Sequence, residues 1–438
     1  MNSSPASVKT AAPGAPAPVQ TSRLRSLQAL GIFCGFAAGA WLGGAEAPIK
    51  LINPDISPIT VSLIMVFGVF LARWSVPALV RGTSHVRNDV RQAPHLVVWA
   101  VLAGCMWAVA NTLTIYAIRN VGLSIAFPLW NTNSLLGIFW GFLLFNELHY
   151  AGWKRWLGVL GGAVCMFAGA TLLAIASSHQ AAPGKATLGI LAALGAGILW
   201  GTMYIPYRKA YLTGMNPLSF ITFFTVGELV TMTVLAVIYR GVTPLWNELV
   251  GARAVLFWLM LGGFVWVIGD LFQQYATKYV GISRGIPLSN TNQLWGLLWG
   301  ILVFHELRGA GQTVYAQVAG GSLLMALGAV AIALSSATER EHSSWQDAAQ
   351  REGKRYGVED EYVRAGMEGR QFGAGPSDRT LLDWFLILGT TALFVVLAVM
   401  ARLPHMDIAT GWAVALTIAM LALLATCGIA LWRTTRFR

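Results

Sequence analysis

The chain has 438 residues, of which 56% are hydrophobic and only 11% are charged, and its mean hydropathy is +0.60. A soluble domain carries about 25% charged residues, so this composition excludes a soluble globular protein and indicates a membrane protein. The net charge of +11 does not predict a nucleic-acid binder, because the basic residues fall mostly between the apolar stretches. The four cysteines lie within apolar stretches without metal-ligand spacing, so we expect no disulfide framework, no metal site and no other cofactor.

Twelve apolar stretches are long enough to cross a bilayer, since about 20 helical residues span a hydrocarbon core of about 30 Å. A tail at residues 1–26, rich in Ala, Pro and Ser, precedes them and is expected to be disordered. A polar segment at residues 337–380 separates the first ten spans from the last two and is expected to be a cytoplasmic linker. The predicted spans lie near residues 28–47, 58–80, 96–118, 122–145, 154–177, 187–207, 217–239, 254–277, 281–304, 314–336, 382–402 and 410–432.

The distribution of lysine and arginine predicts the orientation in the membrane. With the N-terminus inside and the polar segment left aside, the inner loops hold fifteen basic residues and the outer loops hold seven. This positive-inside bias predicts that both termini are cytoplasmic. We therefore expect a multi-pass protein of the plasma membrane, which is the inner membrane of a bacterium.

The first ten spans contain a duplicated unit. The segment FPLWNTNSLLGIFWGFLLFNEL begins at Phe127, and IPLSNTNQLWGLLWGILVFHEL begins 159 residues later at Ile286. Over residues 104–148, 20 of 45 positions are identical at this offset. Each unit holds five spans, an odd number, so the second unit must enter the membrane from the opposite side.

The predicted fold class is therefore an all-α integral membrane bundle of ten helices, arranged as an inverted five-plus-five repeat, with two extra C-terminal helices. The expected domains are a first five-helix repeat at residues 27–180 and a second, inverted repeat at residues 181–336. The polar segment and two additional transmembrane helices at residues 381–438 follow. Inverted repeats are typical of transporters, because two copies of one fold can exchange conformations around a central site.

These residues resemble the drug/metabolite transporter superfamily, and more closely its glucose/ribose-type sugar uptake branch. The resemblance is carried in both halves by four pairs of residues, Trp107 and Trp266, Ser124 and Ser283, Pro128 and Pro287, and Glu147 and Glu306. The chain departs from that branch where Asn146 and His305 replace a common Gly. The resemblance implies a secondary transporter rather than an enzyme, with a sugar as its cargo.

Polar and aromatic side chains inside the predicted spans are the candidates for binding a substrate. The amides of Asn131, Asn133, Asn290 and Asn292 lie about 13 Å deep, at 1.5 Å per residue. Unpaired amides at that depth are costly, so they either bind the hydroxyl groups of a neutral cargo or tie helices together. The predicted substrate-binding residues are these four together with Trp107, Asn111, Trp130, Tyr204, Trp266, Gln274 and Gln293.

Two acidic residues inside predicted spans are candidates for proton coupling. Asp270 stands where the first repeat has Asn111, and Glu228 lies midway along the seventh span. An ionised carboxylate in a bilayer is costly unless it is paired, so such residues are functional candidates. The alternatives are a structural hydrogen bond for Asp270 and an ion pair with Arg284 or Lys278 for Glu228.

The sequence therefore predicts a secondary active transporter that moves a neutral sugar, such as glucose, ribose or rhamnose, together with protons by alternating access. The expected partners are the small-molecule substrate, the proton and the lipid bilayer, with no nucleic acid, and a homodimer is left open. The alternatives are an exporter of small metabolites or drugs on the same fold, and a membrane sensor or scaffold. No nucleotide-phosphate loop, HExxH motif or catalytic triad supports an enzyme.

Overall fold

The computed structural model describes residues 18–45, 47–50, 56–121, 126, 129–130, 132–177, 186–305, 307–370, 372, 379–402 and 408–437. In this part of the chain every regular element is a helix, and ten helices are long and apolar enough to cross a membrane. The protein is therefore an all-α integral membrane protein, as the sequence predicts. Residues 1–17 of the expected disordered tail lie outside the described residues, whereas residues 18–26 are helical and form the start of the first helix, so the tail prediction is wrong there.

The helices are, in chain order, α1 (Pro18–Gly44), α2 (Ala47–Lys50), α3 (Pro58–Val80), α4 (Ser84–Gln92), α5 (His95–Val121), α6 (Asn133–Phe145), α7 (Gly152–Ser177), α8 (Ala186–Leu212), α9 (Pro217–Arg240), α10 (Val242–Gly251), α11 (Leu256–Val280), α12 (Ile282–Ser289), α13 (Asn292–Leu298), α14 (Gln312–Leu334), α15 (Glu339–Arg355), α16 (Asp360–Met367), α17 (Leu381–Met400) and α18 (Thr410–Thr435). A short 3₁₀ turn at Ala252–Ala254 precedes α11, and a π-helical turn at Trp299–Val303 follows α13.

Helices α3 and α9 begin with the same local signal in the two repeats. Ser57 and Asn216 are the N-cap residues, and each side chain accepts a hydrogen bond from a backbone N–H of the first turn. Pro58 and Pro217 follow at the first helical position, where the missing N–H is not needed and the fixed φ suits a helix. These equivalent starts set the register of the two helices that later supply charged side chains.

The ninth predicted span differs from the prediction of a continuous helix. It is divided, because α12 ends at Ser289 and α13 begins only at Asn292. Pro287 cannot donate a backbone hydrogen bond, and the Thr291 hydroxyl turns back to the Leu288 carbonyl at 2.9 Å. In the fourth span the described residues include α6, which begins at Asn133. Interrupted helices are typical of carrier binding sites, where free backbone groups line a cavity.

Glycines bring equivalent helices of the two repeats into reciprocal contact. A Cβ atom on Gly104 would clash with the Phe224 carbonyl oxygen, and one on Gly263 would clash with the Met65 carbonyl oxygen. The offset of 159 converts Gly104 into Gly263 and Met65 into Phe224. The packing of α5 on α9 is therefore repeated, with partners exchanged, in the packing of α11 on α3.

Helices α7 and α14 are equivalent to each other, and they pack together in antiparallel directions. A Cβ on Gly162 would lie 2.7 Å from the Gly328 carbonyl oxygen, and one on Gly169 would lie 2.6 Å from the Gly321 carbonyl oxygen. Residue numbers rise along α7 as they fall along α14, so the two helices point in opposite directions. Residues 162 and 169 become 321 and 328 at the same offset of 159, so this contact is also reciprocal.

The expected linker at residues 337–380 is largely ordered and packed on the bundle. It forms α15 and α16, which we call the cap, and Trp345 and Tyr362 of the cap are only 2% and 5% exposed. The two C-terminal helices pack on different helices of the bundle. Helix α17 lies against α3 and α11, while α18 lies against α1, where the Cys427 and Cys34 sulfurs are 3.6 Å apart. The C-terminal unit is thus part of one packed structure.

Candidate functional site

Three charged side chains from α3, α9 and α11 meet in the interior of the bundle. Arg73 Nη1 donates to Glu228 Oε2 at 2.8 Å, and Arg73 Nη2 donates to Asp270 Oδ2 at 2.8 Å. All three residues are 0% exposed, and each lies well inside its helix. We call Arg73, Glu228 and Asp270 the charged cluster.

The two carboxylates of the charged cluster are held differently. Asp270 Oδ1 also accepts a hydrogen bond from Gln274 Nε2 at 3.1 Å, and the Tyr211 hydroxyl donates to Gln274 Oε1. Glu228 Oε1 is buried and has no hydrogen-bond partner among the described residues. Asp270 therefore has more donors to stabilise an ionised carboxylate than Glu228 has.

Aromatic rings enclose the guanidinium of the charged cluster. Arg73 Cζ lies 4.1 Å from the centre of the Phe224 ring and 5.3 Å from the centre of the Trp266 ring. Trp107 meets Trp266 edge to face, with ring centres 5.4 Å apart. Aromatic faces attract a desolvated cation and also stack on apolar faces of ligands, so these rings suit both an arginine and a sugar ring.

Close helix contact seals Glu228 from its surroundings. A Cβ atom on Gly104 of α5 would lie 2.8 Å from the Glu228 backbone nitrogen, and one on Gly227 would clash with the Val101 carbonyl oxygen. Cys105 of α5 also donates its thiol to the Gly227 carbonyl at 3.8 Å. The small residues let α5 and α9 approach closely, which keeps Glu228 in the packed interior.

The charge count of the cluster is unequal, because two carboxylates share one guanidinium. If both carboxylates were ionised, the buried cluster would carry one net negative charge. An uncompensated buried charge is strongly unfavourable, and a carboxylate in that position usually takes up a proton instead. The geometry can therefore hold one exchangeable proton.

The equivalent positions in the opposite repeat provide an internal comparison for these charges. At the offset of 159, Arg73 corresponds to Met232, Glu228 corresponds to Val69, and Asp270 corresponds to Asn111. Met232 and Val69 are 0% exposed, so these equivalent positions are packed without any charge. The reciprocal helix contacts form around the charged cluster and also around its uncharged equivalents. The charges are therefore not required for these helices to pack.

Arg73 is the residue that the sequence analysis missed. It stands inside the apolar span at 58–80, so the comparison of inner and outer loops did not include it. A single arginine within an apolar span is itself a signal, because such a residue must find buried acidic partners. The expected ion pair of Glu228 with Arg284 or Lys278 is wrong, since Arg73 is the partner of Glu228.

Four of the predicted substrate residues lie at or near the charged cluster. Trp266 packs beside Arg73, Trp107 packs on Trp266, and Gln274 donates a hydrogen bond to Asp270. Tyr204 is 3% exposed, and its ring lies 5.8 Å from that of Tyr207. These side chains, with both predicted acids, form one buried site.

Two other predicted residues, Asn111 and Trp130, lie apart from the charged cluster, and a third lies outside the described residues. Asn111 donates to Ser62 Oγ at 3.3 Å, which joins α5 to α3. Trp130 packs edge to face on Trp200, with ring centres 6.1 Å apart, in a separate apolar group between α5 and α8. Asn131 lies outside the described residues.

The two Asn-Thr-Asn segments lie beside each other, as their predicted place at a shared axis requires. Asn290 donates its side-chain amide to Ser134 Oγ, and Ser134 in turn donates to Asn133 Oδ1 at 3.3 Å. The side-chain oxygens of Asn292 and Gln293 are buried without a partner among the described residues. The cavity beside Asn290 and Gln293 has about 10 Å³, which is close to the space for one water.

Comparison with known proteins identifies a family and several relatives. Residues 53–176 and 191–354 match the model of the family described as "Sugar transport protein". A "Putative sugar uptake protein" of Streptococcus pyogenes serotype M1 is 52% identical over 52 residues. These residues are 11% of this chain and 18% of the relative. A protein of the same description from Listeria innocua serovar 6a is 21% identical over 241 residues, which are 53% of this chain and 77% of the relative. "Transmembrane protein 144 homolog B" of Dictyostelium discoideum is 27% identical over 150 residues, or 33% of this chain and 40% of the relative.

Proposed function

The chain belongs to the sugar transport protein family, and we propose that it moves a neutral sugar across a membrane together with a proton by alternating access. The observation that carries the proton coupling is the charged cluster, in which one arginine meets two buried carboxylates. The cluster is neutral when one carboxylate holds a proton, and it gains a negative charge when that proton leaves. A change of conformation that alters the contacts of Arg73 would therefore change proton affinity.

Glu228 carries the exchangeable proton, and Asp270 remains ionised. Asp270 accepts hydrogen bonds from Arg73 and Gln274, at 2.8 Å and 3.1 Å, which favour its charged form. Glu228 has Arg73 alone, and its second oxygen lacks a partner among the described residues. The division of roles follows from this difference in hydrogen bonding.

The sugar binds beside the charged cluster, against Trp107 and Trp266. Aromatic faces stack on the apolar face of a sugar ring, while carboxylates and amides hydrogen-bond its hydroxyl groups. Tyr204 and Gln274 supply further polar groups on the same side. The transport path also includes the amides of Asn133, Asn290, Asn292 and Gln293, at the two Asn-Thr-Asn segments.

Two inverted repeats provide the alternation. The antiparallel contact between the equivalent helices α7 and α14 supports this, because repeats of the same orientation would run parallel there. The exchanged contacts of Gly104 and Gly263 support it as well. The repeats occupy residues 27–180 and 181–336, and the cap lies on the cytoplasmic side of a plasma membrane, where the positive-inside bias puts it.

Uptake into proteoliposomes tests this function. The full chain is reconstituted, and uptake of labelled glucose, ribose and rhamnose is measured with and without an inward proton gradient. We expect at least one sugar to accumulate only with the gradient. Accumulation in the opposite direction would instead support an exporter, and no sugar-dependent flux in any condition would contradict the proposal.

A further inference from the structure

The cap covers the end of the bundle where α8 and α11 end and α12 begins. Tyr362 of α16 donates its hydroxyl to Asp89 Oδ1 at 3.0 Å, and Arg23 of α1 donates to the Glu368 carbonyl at 3.0 Å. Gln28 of α1 reaches the Ala337 carbonyl at 2.8 Å. The cap and the residues that flank it are thus attached to α1 and α4 of the first repeat.

Glu341 of the cap holds the start of α12 to the end of α6. Its carboxylate accepts hydrogen bonds from the Arg284 guanidinium at 3.1–3.3 Å and from the Leu148 backbone N–H at 2.8 Å. Glu341 is 0% exposed and Arg284 is 1% exposed. A charged side chain of the cap therefore joins segments that belong to different repeats.

A second buried ion pair lies next to the first. Arg208 Nε is 2.8 Å from Glu147 Oε1, and Glu147 accepts from the backbone N–H groups of Ile282 and Ser283, at 3.1 Å and 2.9 Å. Glu147 thus caps the first turn of α12. The Trp345 ring of the cap covers Arg208, with 4.3 Å between Cζ and the ring centre.

These contacts hold α12 in place, and α12 leads directly to the interruption at Asn290. Any movement of α12 away from the cap must separate Arg284 from Glu341. Separating a buried ion pair is strongly unfavourable unless water or another partner replaces the lost contact. The cap therefore adds a barrier at this end of the bundle.

We propose that the cap is the gate on this side of the carrier and that Glu341 is its latch, so that this side opens when Glu341 releases Arg284. Glu341 acts as a positioning residue through Arg284 and Leu148, and it contacts no residue of the charged cluster. This gate rests on the proposed carrier function but not on the identity of the cargo. Its opening is measured in the protein without cargo, so the test does not depend on whether the transported molecule is a sugar.

The test measures how readily the first turn of α12 is reached from water. Ser283 is 0% exposed, so a Ser283→Cys reporter is placed in a full-length chain whose four native cysteines are replaced by alanine. Its reaction rate with a water-soluble maleimide is measured in the purified protein without sugar. Glu341→Gln keeps the size of the side chain and removes its charge, and we expect it to raise the rate at least about tenfold.

Matched variants separate gating from general loosening. Glu339→Gln changes an exposed glutamate on the same helix and should leave the rate unchanged. Arg284→Gln removes the same ion pair from the other side and should give the same rise. A second reporter, Thr60→Cys at the opposite end, should stay unreactive in all variants. Equal rates in Glu341→Gln and Glu339→Gln would overturn the proposal, and so would a rise at both reporters.

Discussion

Asp270 and Asn111 stand at equivalent positions of α11 and α5, but only Asp270 contacts an arginine, at 2.8 Å from Arg73. Asn111 donates to Ser62 Oγ at 3.3 Å instead. The two repeats therefore build the same helix contacts around a charged group in one case and a neutral group in the other. Each charged residue of the cluster can therefore be replaced by the neutral residue that the protein has at the equivalent position of the other repeat.

Replacing the charged cluster by its neutral equivalents should preserve the fold. Arg73→Met alone leaves two buried carboxylates without a cation, and we expect it to lower the free energy of unfolding by about 3–5 kcal/mol. The triple variant Arg73→Met, Glu228→Val, Asp270→Asn removes all three charges and should recover most of that loss. Thermal unfolding of the purified full chain in detergent measures both.

Asn111→Ala is the control for these variants, because it changes the neutral equivalent of Asp270 and removes one hydrogen bond. We expect it to lower stability by about 1 kcal/mol. If the triple variant is no more stable than Arg73→Met, the charges are part of the fold and the comparison between the repeats does not hold.

Trp266, which lies beside Arg73, and Trp107, which packs on Trp266, should determine affinity for the sugar. Trp266→Leu keeps an apolar side chain but removes the stacking face, and we expect the apparent Kd to rise about two- to thirteenfold, since an aromatic contact contributes about 0.5–1.5 kcal/mol. Trp107→Leu should act in the same direction. Thermal stabilisation by a sugar, titrated over a range of concentrations, gives the Kd of each variant.

Trp130→Leu is the control, because Trp130 is buried to a similar extent as Trp107 but packs on Trp200 away from the charged cluster. Its sugar affinity should equal that of the unmodified protein. An equal loss of affinity in Trp130→Leu and Trp266→Leu would place the sugar elsewhere.

The stability of the cap should depend on pH through His342. Burial and the nearby guanidinium groups of Arg208 and Arg284 lower the pKa of His342 from 6.5 to about 4. Between these two values the unfolded chain binds a proton that the folded chain does not, so stability falls as the pH falls. We expect the unfolding midpoint to fall more steeply across this range in the unmodified protein than in His342→Gln. Parallel pH profiles would exclude this role of His342.

The sequence predicts the membrane class and most helices because the signals are long and redundant. Among the described residues, ten helices satisfy the length and hydropathy of a span, and the starts of α3 and α9 are marked by the N-cap and proline pairs at Ser57 and Asn216. The interruption at Asn290 is less evident, because Asn-Thr-Asn is compatible with a polar helix as well as with a break.

The sequence predicts the acids of the site but not their partner. Asp270 and Glu228 stand out as carboxylates in apolar spans. Arg73 also lies in an apolar span, but the positive-inside comparison counts only the arginines of the loops and does not include it. The pairing depends on three helices that meet only after folding. The role of Glu341 depends in the same way on the packing of the cap, whose polar composition predicts a solvated linker.

Proton entry that accompanies sugar addition tests the central claim most directly. The full chain and its Glu228→Gln variant are reconstituted into liposomes that contain a pH-sensitive dye, and a sugar that stabilises the protein is added outside. We expect acidification with the unmodified protein and none with Glu228→Gln, which should still exchange labelled for unlabelled sugar. Equal acidification by both proteins would contradict the assignment of the proton to Glu228, and sugar entry without acidification in the unmodified protein would contradict proton coupling itself.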